Sequence, residues 1–142
     1  ANQALDRILN FFSEERRDQV LLDLSLNLKG ILAQQLIPQR DGQGRRAAVE
    51  VLLNTPLISD LIQKGEIHKI KELMKRSREH GMITFDQALY ELYLQGEISQ
   101  ENALKFADSE NEVRLMIKLG DDTQGVLGAE MGKAGLVDQF IE

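Results

Sequence analysis

The sequence predicts a mainly α-helical domain of five to seven helices with one β-hairpin. Three observations predict it. Apolar residues recur at helical spacing through most of the chain, and the stretches are punctuated by Ser or Thr at their starts and Gly at their ends. One region instead alternates with period two on the far side of Asp41-Gly42-Gln43-Gly44, a turn signal between two runs of strand length. Aromatics make up only 5% of the residues and there is no Trp, so the core must be built from Leu, Ile, Val and Ala.

The elements follow in order. Leu5, Ile8, Leu9 and Phe12 lie at i, i+3, i+4 and i+7 and predict a first helix. Ser13, followed by Glu14 and Glu15, has the form of an N-cap with acids in the first turn, opening a second helix that runs to about Lys29. Val20, Leu21, Leu24 and Leu28 form one apolar stripe on it, and Leu22 and Leu26 a second, so both faces call for cover. The hairpin spans about 31–53. On its second strand Ala48, Glu50 and Leu52 face one way, and Ala47, Val49, Val51 and Leu53 the other. Thr55-Pro56 starts a helix over 56–64. Another is expected over 66–80, with Ile67, Ile70, Leu73 and Met74 inside, Lys69, Lys71, Lys75, Arg76 and Arg78 outside, and Gly81 as its cap. Thr84-x-x-Gln87 has the capping-box pattern for 84–95. Ser99 and Ser109 start helices over 99–107 and 109–119. Residues 120–142 read as a flexible Gly-rich tail, with a short helical turn near Leu136–Ile141.

A chain of 142 residues can bury one core. Its net charge of −6 argues against a nucleic-acid partner. The absence of cysteine excludes disulfides, thiolate zinc sites and a cysteine nucleophile, and suits a reducing cytoplasm. No apolar run approaches the roughly 20 residues of a transmembrane segment, and the first residues lack a signal-peptide pattern. The chain starts inside a helical pattern without Met, which reads as a polypeptide cut from something longer.

Candidate chemistry is sparse. His80 and Asp86 flank a helix break, and the joint accounts for every residue between them. His68 and Glu72 have i, i+4 spacing, but with only two His in the chain a metal shell would be thin, and a solvated helix face is the expectation: no metal, no catalytic residue. Gly42-x-Gly44 lacks the Lys-Ser/Thr and the strand-to-helix setting of a phosphate loop, so no cofactor-binding residue is expected in this chain. The basic side of 66–80 reads as a charge-laced face paired with Glu66, Glu72 and Glu79, with docking on a neighbouring subunit as the competing reading. Glu50 lies in an otherwise apolar strand. It calls for an ion pair, with Arg45, Arg46 or Arg7 as the expected partner.

Longer strings go further. "ANQALDRILNFFSEERRDQVLLDLSLNLKGILAQQLIP", "GRRAAVEVLLNTPLISDLIQKGEIHKIKELM" and "HGMITFDQALYELYLQGEISQENALKFADSENEVRL" resemble, in this order, the C-terminal part of the PilT/PilU family of type IV pilus retraction ATPases. "NTPLISDLI" and "KRSREHGM" are nearer to the PilU branch. The resemblance covers 1–119. It implies an α/β remnant, the C-terminal part of a RecA-like P-loop ATPase domain, from a hexameric motor at the inner-membrane pilus base in the cytoplasm. It implies partners too: further copies, a PilT-like motor and the pilus platform. ATP and Mg²⁺ belong to the parent protein, whose Walker motifs would lie upstream of Ala1, so the chain alone should not hydrolyse ATP. The family's retraction motif, AIRNLIRE, falls on the string that opens with Leu57-Ile58-Ser59-Asp60-Leu61-Ile62. Leu61 and Ile62 match and Ile58 keeps the apolar position; Ser59 and Gln63 stand where PilT has arginines, so a role needing guanidinium charge does not carry over.

Severed from its sheet, the hairpin and the second helix would leave apolar faces wet. At roughly 25 cal/mol per Å², a few hundred Å² is comparable with a domain's stability, and self-association as a dimer or swapped oligomer is expected. A stand-alone helical protein-interaction module is the alternative reading.

Overall fold

The structure, a computed structural model, describes residues 1–120. The tail and the turn near Leu136–Ile141 lie outside the described residues, apart from Gly120, which is still helical. Helix α1 is Asn2–Asn10, α2 Glu14–Asn27, α3 Pro56–Gln63, α4 Ile70–Lys75, α5 Phe85–Leu94 and α6 Gln100–Lys105; α7 covers 110–120. Strands β1 (Gly30–Pro38) and β2 (Arg45–Leu53) form an antiparallel hairpin.

Helix α2 ends two residues before the expected Lys29. Leu28 is already extended, and the Asn54 amide nitrogen donates to the Ser25 and Leu28 carbonyls at 3.0 and 2.8 Å. That side chain does for the orphan carbonyls what a glycine cap would do. Gly30 instead opens β1. A Cβ there would lie 2.8 Å from the Leu52 carbonyl oxygen, so the close approach of the two strands requires glycine.

The stretch expected as one helix over 66–80 is three pieces: a 3₁₀ turn at Ile67–Lys69, α4, and a second 3₁₀ turn at Arg78–His80. The break is at Ser77. Its hydroxyl donates to the Leu73 carbonyl at 2.7 Å and its own carbonyl accepts from His80 and Met82, the local competition that ends helices at serine. Gly81, at φ +84°, then turns the chain. The expected capping box is present: Thr84 accepts from the Gln87 N–H, and the Gln87 side chain accepts from the Thr84 N–H.

Ala48, Glu50 and Leu52 face inward and Leu32, Leu36 and Leu53 outward, as the alternation requires. Leu52 joins a core with Leu5, Ile58, Ile62 and Ile70; Ala48 and Ile37 join another with Leu89, Ile98 and Val113. Glu50 sits between them on the same face of β2.

Candidate functional site

The His80–Asp86 question is settled by burial. His80 is exposed, 3.6 Å from Glu79, while Asp86 is 1% exposed. Asp86 accepts from the Asp108 N–H at 2.7 Å and the Ser109 N–H at 3.2 Å, and the Lys71 amine lies 3.2 Å away. It therefore caps the start of α7 from α5 and ties both to α4. This is a joint, not a reactive pair. Sequence reading missed the depth of Asp86: its place in the first turn of α5 signals a dipole acid, and nothing local signals that α7 will arrive there.

Most of the basic side of 66–80 is paired within the molecule. Lys69 pairs with Glu66 at 3.0 Å and Lys75 with Glu72 at 2.8 Å, as the spacing suggested. Lys75 also reaches Glu112 at 2.7 Å, and Arg78 pairs with Glu91 rather than Glu79. Burial lowers the Lys75 pKa, but its hydrogen bonds to Glu112 and Glu72 outweigh that and raise it overall. The bond from Lys75 holds the Glu72 carboxyl below its ordinary range. Among the described residues no group of three His, Cys, Asp or Glu is placed to hold a metal. Gly42 and Gly44 lie in the hairpin turn, where Gln39 accepts from Gly42 and donates to Gly44.

Glu50 is 6% exposed, and its partners are not the expected arginines. It pairs with the Ala1 amine and accepts from the Phe85 N–H at 3.3 Å. Arg45 and Arg46 start β2, four or five residues away, about 13 Å or more along a strand; Arg46 pairs with Glu97 at 2.5 Å instead, which lowers the Glu97 pKa. Arg7 faces out from α1. Burial lowers the pKa of the Ala1 amine; nearby Asp108 acts against this and Lys71 with it.

A cavity of about 430 Å³ adjoins Glu50, lined among others by Gln35, Lys71, Phe85 and Asp108. It does not fit a nucleotide phosphate. Its cations, Lys71 and the Ala1 amine, are engaged by Asp86, Asp108 and Glu50, and the Phe85 N–H is given to Glu50.

The string Leu57, Ile58, Ser59, Asp60, Leu61 and Ile62 is helix α3, and it has two faces. Ile58 and Ile62 are fully buried, while Leu57 is 64% exposed and Leu61 half-buried. The Ser59 hydroxyl donates to the Ser25 carbonyl at 2.7 Å, holding α3 on α2, and Asp60 pairs with Lys64. A groove of about 350 Å³ beside α3 and α4 is lined by Leu57, Leu61 and Leu73 together with Asp60, Lys69, Glu72 and Arg76.

No family model matches the chain. Over 123 residues it is 67% identical to the type IV pilus ATPase PilU of Pseudomonas aeruginosa, a match that takes in 87% of this chain and 32% of PilU. The chain belongs to the PilT/PilU family. It is 34% identical to the type IV pilus retraction ATPase PilT of the same organism over 103 residues, 72% of this chain and 30% of PilT. The solved structure of the pilus retraction motor PilT with bound ADP matches with a TM-score of 0.70 at 32% identity, over 80% of this chain and 31% of that one. The helical domain with its hairpin is thus a PilT-like fold, with seven α-helices among the described residues. The chain spans about a third of the length of these PilT/PilU relatives. None of its described helices is long and apolar enough to cross a membrane.

Proposed function

We propose that the chain, over 1–119, acts as the C-terminal segment of a PilU-like hexameric ATPase that assists type IV pilus retraction and twitching motility. The observation that carries this reading is the 67% identity to PilU over 123 residues. The whole motor would bind ATP and Mg²⁺ through residues outside this chain. The acidic, internally paired cavity beside Glu50 supports that division, since it offers no free cation to a triphosphate. In the motor the chain would pack among further copies, with a PilT-like motor and the pilus platform as partners, on the cytoplasmic side of the inner membrane.

Within this reading the α3 string divides its work. Ile58 and Ile62 anchor the helix, Ser59 fixes it to α2, and Leu57, Asp60 and Leu61 present the surface that meets a partner. The exposure of Leu57 supports this. The test is to replace the matching third of PilU with this chain and measure twitching. Restored motility is expected, with Leu57→Asp abolishing it while the protein still accumulates. A correctly folded hybrid that hydrolyses ATP yet never supports motility would sink the reading.

A further inference from the structure

We propose that residues 136–142 of this same chain dock in the groove beside α3 and α4 and cover Leu57, Leu61 and Leu73. The groove holds about 350 Å³, and Leu57 is 64% exposed in it. Its charges are nearly all answered. Asp60 pairs with Lys64 at 2.7 Å, Glu72 with Lys75 at 2.8 Å and Lys69 with Glu66 at 3.0 Å. Arg76 is exposed and forms no ion pair among the described residues. A fitting occupant therefore brings apolar side chains and an acid.

The string 136–142, Leu-Val-Asp-Gln-Phe-Ile-Glu, has that form. At 3.6 residues per turn, Leu136, Val137, Phe140 and Ile141 share an arc of about 140°, and Asp138 and Glu142 fall together outside it. Residues 121–142 hold five acids and one lysine, so they carry four of the chain's six net negative charges. The acidic segment and the unpaired Arg76 are of opposite sign.

The segment also reaches. Lys75, next to Arg76, donates to Glu112 near the start of α7 at 2.7 Å. Gly120 lies eight residues further on, about 12 Å along that helix. Residues 121–135 span up to about 50 Å when extended, so they bridge to the groove with slack. A tether of this length gives an effective concentration of about 1 mM, and a segment that binds with a Kd of about 0.1 mM is then docked about nine-tenths of the time. At micromolar protein the same tether favours the chain's own groove over that of a second copy. Docking keeps the α3 surface covered until a partner displaces the segment, a consequence that rests on the motor reading; the docking itself does not.

The chain has no cysteine, so oxidative cross-linking of the full chain tests the contact. Asp60→Cys with Gln139→Cys should close an intramolecular disulfide at least about tenfold faster than Leu32→Cys with Gln139→Cys, position 32 being equally open but on β1. Leu136→Asp with Phe140→Asp should erase that difference. Arg76→Glu should slow the faster reaction about threefold, and Asp138→Lys added to it should restore the rate. Equal rates at both positions, a difference indifferent to the two aspartates, a charge swap without effect, or disulfides that join two chains overturn the proposal. If the Asp60→Cys chain fails to fold, methyl resonances of Leu57, Leu61 and Leu73 in the cysteine-free chain still decide. They should move on Leu136→Asp with Phe140→Asp, and unmoved resonances overturn the docking. In the PilU hybrid the two aspartates should leave twitching at or above the parent level; a drop would make the segment part of the working surface and overturn the cover. A hybrid with no motility at all removes the motor reading and leaves the cross-linking result standing.

Discussion

Glu50 and Asp86 are both buried carboxylates, and they are held differently. Asp86 takes two amides from the start of α7 and an amine from α4, all on elements fixed by their own packing. Glu50 takes one amide from the start of α5 and the amine that precedes α1. The common device is a helix N-terminus. Its orphan N–H groups and positive dipole end supply the counter-charge that a sequence reader would seek in arginine. The difference lies in the cation. Lys71 is held by two carboxylates, whereas burial already lowers the pKa of the Ala1 amine.

Breaking Asp86 should therefore cost most. Asp86→Ala strips the cap from α7 and leaves Lys71 with the exposed Asp108 alone, a loss of about 3–5 kcal/mol in urea unfolding. Asp86→Asn keeps an acceptor and should lose about 1–3 kcal/mol. An alanine variant within 1 kcal/mol of the parent would mean that α7 is held by its apolar residues alone.

Glu50→Gln should cost less, about 1–3 kcal/mol. The amide can still accept from Phe85, and the Ala1 amine, with its lowered pKa, can shed its proton rather than stay buried as an unpaired charge. A loss as large as that of Asp86→Ala would show that the amine stays charged and that the two sites are alike after all.

Thr84→Ala sharpens the comparison at smaller scale. Thr84 caps α5, the helix whose first N–H serves Glu50. Losing the cap should cost about 1 kcal/mol. Because the two groups share one helix start, the double variant with Glu50→Gln should be non-additive. Strict additivity would separate the cap from the carboxylate.

The two carboxylates also mark where sequence legibility stops. Helix starts at Thr55, Thr84 and Ser99, the hairpin and the two alternating faces of its second strand were readable, because caps and strand alternation are local. Glu50 was readable as a carboxylate calling for an ion pair, but not its partner, since Ala1 is 49 positions away. Asp86 was readable only as part of a joint. The break at Ser77 was missed because one hydroxyl bonding back to Leu73 outweighs a good helical pattern. The α3 string came from resemblance; its division into Ile58 and Ile62 inside and Leu57 outside came from the structure.

The smallest expected effect asks where acid sensitivity resides. Glu72 and Glu97 are surface carboxylates on opposite sides of the comparison, one beside the Asp86 junction and one at the turn end of the hairpin. Both have lowered pKa values, through bonds from Lys75 and Arg46 respectively. A depressed carboxyl contributes stability that is present above its ordinary value of 4.5 and is lost as pH falls through its folded value. Lys75 is raised, so its contribution holds below 10.5 and fades only as pH climbs past that. The contribution of these three groups to the urea midpoint should therefore be flat between these limits and fall below pH 4.5. Glu72→Gln and Glu97→Gln should each flatten the acid limb slightly, and less in high salt, because both groups are open to solvent. If removing both leaves the limb unchanged, the surface pairs contribute nothing, and acid acts through groups further inside.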